Sequence, residues 1–129
     1  MQAGREIEVR AWDDKKKRMY DGDDIEAYDY LITGISYGKV FVAVEDPDWR
    51  ELKVIQFTGL HDKNGKKIYE GDIALIYGDR CVIEYDSKSA SYVARTKIDS
   101  YWALDEETFK LGVEVIGNIY ENPDLLRSA

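Results

Sequence analysis

Apolar and polar residues alternate with period two in several short runs of the chain. In REIEVRAW, residues 5–12, Ile7, Val9 and Ala11 share one face, and Glu6, Glu8, Arg10 and Trp12 share the other. That spacing predicts a half-buried strand. Six charged residues follow at 13–18, then the apolar pair Met19 and Tyr20, which predicts a hairpin closed by a charged turn. The acidic run DGDDIEAYDY follows at 21–30, and its segment Asp21 to Glu26 reads as a solvated loop. Strands are expected at 31–36 and 39–45, rich in β-branched residues, with Tyr37-Gly38 as a tight turn. Asp46-Pro47-Asp48-Trp49 stops the second, because Pro47 cannot donate to a ladder. ELKVIQFT at 51–58 alternates again.

The second half continues in the same style. Strands are predicted at 72–77, 80–86, 91–97 and 113–119, with Gly78-Asp79 turning between the first two. LDEETFKL at 104–111 is the best helix candidate, with Asp105 as cap, Glu106 and Glu107 in the first turn and Gly112 as stop. Asn122 and Pro123 predict a terminal helical turn, with Asn122 capping and Pro123 at its first position. Eight or nine short strands with one or two helical turns fit a mainly β chain, a small barrel or sandwich.

FTGLHDKNGKKIYEGDIALI, residues 57–76, is dense in glycine and charge. Asn64-Gly65 is the favoured pair for a two-residue hairpin turn with positive φ at both positions. Asp62, Lys63, Lys66 and Lys67 are then expected at the exposed tip and rungs. Gly71-Asp72 lets the chain swing into the next strand, and Gly59 marks a bulge or sharp bend.

Composition narrows the function. The chain has 129 residues, 44% hydrophobic, enough for one domain or two small lobes. No apolar run is long enough for a membrane span, and the N-terminus lacks the apolar stretch of a secretory signal, so a cytoplasmic protein without membrane partners is expected. Net charge is −8, with 13 acidic and 9 basic residues both before Phe57 and from Phe57 on. An evenly acidic surface disfavours nucleic acid. The one basic patch is Lys15, Lys16, Lys17 and Arg18, flanked by Trp12 and Tyr20, a cation-plus-aromatic mixture suited to single strands. Its bland reading is a solvated hairpin tip, which the net charge favours.

Catalytic and metal chemistry find little support. Neither Asp21–Glu26 nor the loop after Asp62 matches the calcium loop, which needs a central Gly and a terminal Glu at fixed positions. Whether the Asp21–Glu26 run binds a cation stays open. One Cys and one His make zinc improbable. Gly59 to Gly65 misses the P-loop spacing, and no Gly-x-Ser-x-Gly elbow is present. Cys81, in the strand-like CVIEY, reads as a buried hydrophobe. No cofactor and no enzymatic activity are expected. The 3 Trp and 10 Tyr suit binding surfaces and β cores alike.

Three stretches carry a resemblance: VRAWDDKKKRMY at 9–20, QFTGLHDKNGKKIYEGDIALI at 56–76 and VEVIGNIYENPDLL at 113–126. In order and wording they resemble the YopX-like family of phage and prophage proteins, with its RAWD start, TGLxDKNGxxIYEGD centre and EVIGNIYENPEL close. The departures are slight: His61 replaces other polar residues, and Asp124 replaces Glu. The resemblance implies an SH3-like barrel over 57–120, within a C-terminal segment 57–129. The strand-rich N-terminal segment, residues 1–56, is expected to pack against it, across a weak seam. The resemblance also implies structural roles for Trp12, Gly59, Asn64, Gly65, Gly71, Asp72, Gly117, Asn118, Asn122 and Pro123. It brings no catalytic residue, and it implies assembly into oligomers. The expected function is a non-enzymatic protein-binding or assembly module, its partner a second copy or a host or phage protein. The alternative is a nucleic-acid role, direct through Lys15–Arg18 or as an acidic DNA mimic.

Overall fold

The computed structural model describes residues 8–45, 47 and 49–127. It is mainly β, and it divides into two compact units, Met1–Gln56 and Phe57–Ala129. Residues 5–7, Asp46 and Asp48, named above, lie outside the described residues.

In the first unit, β1 (Val9–Asp13) pairs antiparallel with β2 (Arg18–Tyr20) across the charged turn, as the pattern predicts. β1 is more buried than its alternation implies. Val9, Ala11 and Asp13 are buried, and so is Trp12 on the other face. The acidic run is a correction. Instead of a solvated loop, α1 (Gly22–Ala27) forms there. The Asp21 side chain accepts the N–H of Asp24, and the Asp24 side chain accepts that of Asp21, a capping box. Such a cap is worth about 1 kcal/mol. That does not sustain six residues alone, so Ile25, buried in the unit's core, must anchor them.

β3 (Leu31–Ser36) and β4 (Lys39–Val44) form the predicted hairpin. Tyr37 and Gly38 both have positive φ, 52° and 76°, the mirror-image turn that matches strand twist. The run at 51–58 is not one strand. β5 (Arg50–Glu51) pairs with β4, and after Leu52 the chain enters β6 (Lys53–His61). Residues 53–56 of β6 pair with β1, whereas Phe57 and His61 pair with β7 (Lys67–Tyr69). The core of the first unit joins Val9, Ala11, Tyr20, Ile25, Leu31, Val42, Val44 and Leu52.

The second unit carries a curled, half-barrel sheet. β8 (Asp72–Ile76), β9 (Asp79–Asp86), β10 (Ser91–Arg95), β11 (Tyr101–Ala103) and β12 (Val113–Asn118) lie in the order β11-β10-β9-β8-β12. The turn between β8 and β9 is Tyr77-Gly78, with φ 48° and 87°, one residue earlier than expected, and Asp79 is already in the ladder. β11 had no counterpart in the hydrophobic pattern. α2 (Glu106–Leu111) starts at Asp105, whose side chain accepts the Thr108 N–H, and stops at Gly112. Pro123–Leu126 is a 3-10 turn, but Asn122 makes no side-chain cap to it. Ile68, Ala74, Ile76, Cys81, Ile83, Ala94, Val113 and Val115 form this unit's core.

Candidate functional site

The basic turn is built on Asp13. Its buried carboxylate accepts the N–H groups of Lys15 and Lys16 at 3.1 and 3.2 Å. The Arg50 guanidinium closes on it, Nε on Oδ1 at 3.2 Å and Nη2 on Oδ2 at 2.5 Å. Burial works to raise the Asp13 pKa, but Arg50 and the two backbone donors outweigh it and hold the carboxyl below its ordinary range. Lys17 takes a positive φ of 55° and pairs with Asp14 at 2.8 Å. Arg18 stacks 4.6 Å from the Tyr20 ring centroid and 5.3 Å from that of Tyr28, and donates to the Tyr28 hydroxyl at 3.2 Å.

Sequence reasoning places Lys15, Lys16, Lys17 and Arg18 together on one turn, and they are together. The aromatic half of that reading is corrected. Trp12 and Tyr20 are buried, so neither ring offers a face for base stacking. Tyr20 instead meets Tyr28 and Tyr30 edge-on, and burial pushes its hydroxyl up to about 12.

Exposed apolar side chains also stand on the β3–β4 hairpin and beside a concavity of the second unit. The base of the β3–β4 hairpin is buried through Leu31, Val42 and Val44, but its far end is not. Ile35 is 76% exposed, its ladder partner Val40 is 45% exposed, and Tyr37 is fully exposed. Beside them the Phe41 ring covers Gly34, where a Cβ would sit 2.6 Å from the ring. In the second unit a concavity of about 610 Å³ opens beside the β8–β9 turn and the 96–100 loop. Ile98, Tyr101 and Trp102 line it, with Asp79 accepting from the Trp102 indole at 3.2 Å. A second, of about 670 Å³, is lined by charged groups, in which Arg95 pairs with Glu84 at 2.6 Å.

The motif residues have backbone work to do. Gly59, at φ 88°, sits inside the register shift between Phe57 and His61, the expected bulge. The Asn64-Gly65 turn is a correction. Gly65 has φ 81°, but Asn64 does not have positive φ. The Asp62 N–H donates to the Lys66 carbonyl and the Gly65 N–H to the Asp62 carbonyl, so the loop holds three residues and ends on a left-handed glycine. Asp62 is buried rather than on the exposed tip. Its Oδ1 accepts the N–H groups of Asn64 and Lys66, each at 2.9 Å, and its Oδ2 accepts that of Val115 at 2.9 Å. Burial opposes ionisation, yet those three donors hold its pKa below the ordinary range.

The remaining motif positions form a second set of backbone locks. Asp72 is buried and accepts the Tyr69 N–H at 2.7 Å. Gly71 has φ 87° and lies under the Tyr120 ring. The Asn118 side chain accepts from Tyr120 and Glu121. Asn122 turns back to accept the Asn118 N–H at 3.1 Å, which explains why it does not cap the 3-10 turn that Pro123 begins. Gly117 leaves room for it, since a Cβ there would stand 2.6 Å from the Asn122 oxygen. The structural roles of Asp13, Arg50 and Asp62 have no signal in the local sequence pattern.

Among the described residues no group of three or more His, Cys, Asp or Glu could hold a metal ion. Cys81 is buried, and burial raises its thiol to about 11, far from a reactive thiolate. No described helix is long and apolar enough to cross a membrane.

The YopX protein family model matches residues 8–127. The chain belongs to the YopX family, which is associated with phages and prophages. Among solved structures, the crystal structure of protein EF1440 from Enterococcus faecalis is similar to this YopX-family chain, at 26% identity and a TM-score of 0.59. The match covers 95% of this chain and 99% of that one. No curated protein matches.

Proposed function

We propose that this YopX-family chain is a non-enzymatic protein-binding and assembly module, and that the outer end of the β3–β4 hairpin is its contact surface. The supporting observation is the exposure of Ile35, Tyr37 and Val40 on a hairpin whose other end is core. A solvated hairpin tip has no need of three large apolar side chains, and apolar clusters of this kind mark interaction sites. β3 is also an edge strand, and its residues LITGIS include no charge to discourage pairing. A second copy of the chain is the partner this surface suits, because two chains of net charge −8 meet best where neither carries acidic groups. A host or phage protein with an apolar edge of its own would use the same face. The test is chemical cross-linking and partner capture with the parent chain and an Ile35→Lys, Val40→Glu variant of unchanged circular dichroism. The reading requires contacts that the variant loses, and contacts that survive it unchanged would defeat the assignment.

A nucleic-acid role ranks second, supported by the exposed Lys15, Lys16 and Lys17 side chains on one turn. The burial of Trp12 and Tyr20 weakens it, and so does the charge of −8. Gel retardation at low salt, lost when the three lysines become Glu, would promote it. Displacement of DNA from a basic host protein, without retardation, would favour the acidic mimic instead.

A further inference from the structure

The chain has three asparagines, and the fold gives them different chemical fates. Asn118 is buried, its side chain is fixed by Tyr120 and Glu121, and the bulky Ile119 follows it. Asn122 precedes Pro123, which has no N–H. Asn64 is exposed at the tip of the β6–β7 hairpin and precedes Gly65, where no Cβ hinders approach.

We propose that Asn64 is a spontaneous deamidation site whose rate is governed by the Asp62 turn. In the reaction the Gly65 amide nitrogen attacks Asn64 Cγ. The new N–Cγ bond closes a five-membered succinimide as the Cγ–Nδ2 bond breaks. Nδ2 leaves as ammonia, carrying the proton that Gly65 gives up. Water then adds to either ring carbonyl and leaves aspartate or isoaspartate. No oxidant, reductant or enzyme is needed, and asparagine is among the thermolabile residues.

The folded turn restrains this chemistry at the attacking atom. The Gly65 N–H donates to the Asp62 carbonyl at 3.0 Å. The N–H groups on either side, of Asn64 and Lys66, are held by Asp62 Oδ1. Attack therefore requires the turn to open first, so the rate carries the small population of open turns as a factor. The product matters to the same network. Isoaspartate lengthens the main chain between the two N–H groups that share Asp62 Oδ1, and so loosens the carboxylate that also holds Val115.

The test is peptide mapping by mass spectrometry of the whole chain, held in mildly alkaline buffer in the native state and unfolded in urea. The expected result is a gain of about one dalton confined to the peptide containing Asn64. It should grow more slowly in the native chain, by a factor on the order of 10. Asp62→Ala should move the native rate toward the unfolded one. If that variant does not fold, the comparison of native and unfolded parent chain still decides. Equal rates in the two states, or a first gain at Asn118 or Asn122, would overturn the proposal.

Discussion

The carboxylate of Asp62 accepts the backbone N–H of Val115 at 2.9 Å, and through that bond the β6–β7 hairpin is fastened to β12. The Lys63 N–H, donating to the Val113 carbonyl at 2.9 Å, is a second tie between the same elements. Asp62→Asn should cost about 2–4 kcal/mol, because an amide NH₂ turned toward Val115 or the turn sets donor against donor. Urea unfolding checks this as a lower midpoint at unchanged slope. A loss within about 0.5 kcal/mol would mean the bonds are replaced by water.

Asp62 and Asp13 both have lowered folded-state pKa values. A depressed carboxyl contributes stability that is complete above its unfolded value, about pH 4, and is lost as pH falls through the lower folded value. The stability gap between the parent and Asp62→Asn should therefore be constant near neutrality and narrow in acid below that point. Unfolding midpoints measured across this range test it, and a gap that widens in acid would contradict it.

Arg50 is the guanidinium that neutralises Asp13, whose side chain is only 1% exposed. Arg50→Ala leaves that charge buried beside two N–H donors and should cost about 2–4 kcal/mol. Arg50→Lys should recover only part of this, because an ammonium cannot reproduce the two-pronged contact. Denaturant midpoints of the three proteins check this, and equal stability of the Lys variant and the parent would show that charge alone suffices.

Gly71 and Gly65 separate two costs that glycine avoids. Both have positive φ, but a Cβ at Gly65 meets nothing within 4 Å, whereas one at Gly71 stands 2.8 Å from the Tyr120 ring. Gly65→Ala should lose about 1 kcal/mol, the cost of a left-handed backbone. Gly71→Ala should lose roughly 1–3 kcal/mol more. Tyr120→Ala in the Gly71→Ala background should return some of the excess. Equal losses for the two alanines in urea unfolding would contradict this division.

Much of the β framework was legible because its signals are local. Tyr37-Gly38 between two β-branched runs can hardly be other than a hairpin, and Asp105 and Gly112 bracket α2 with side-chain chemistry alone. α1 escapes the pattern because its evidence is a capping box of two aspartates inside a run that looks like pure solvent, with Ile25 its only buried anchor. The 62–66 turn is ambiguous because Asn-Gly fits two turn types, and the choice rests on how Asp62 is bound. That carboxylate is held by Val115, 53 residues away, which no local pattern encodes. The basic turn shows the same limit. Its four cations are evident, but the alternation of β1 does not reveal that Trp12 is buried as well as Ala11.

The most direct test of an assembly role through the β3–β4 hairpin is mass by light scattering during size exclusion, over a wide range of concentration. The parent chain should run above its monomer mass of 14.9 kDa, and the Ile35→Lys, Val40→Glu variant should return to that value with its fold intact. A parent that stays at the monomer mass throughout, or a variant that assembles as the parent does, would contradict the account.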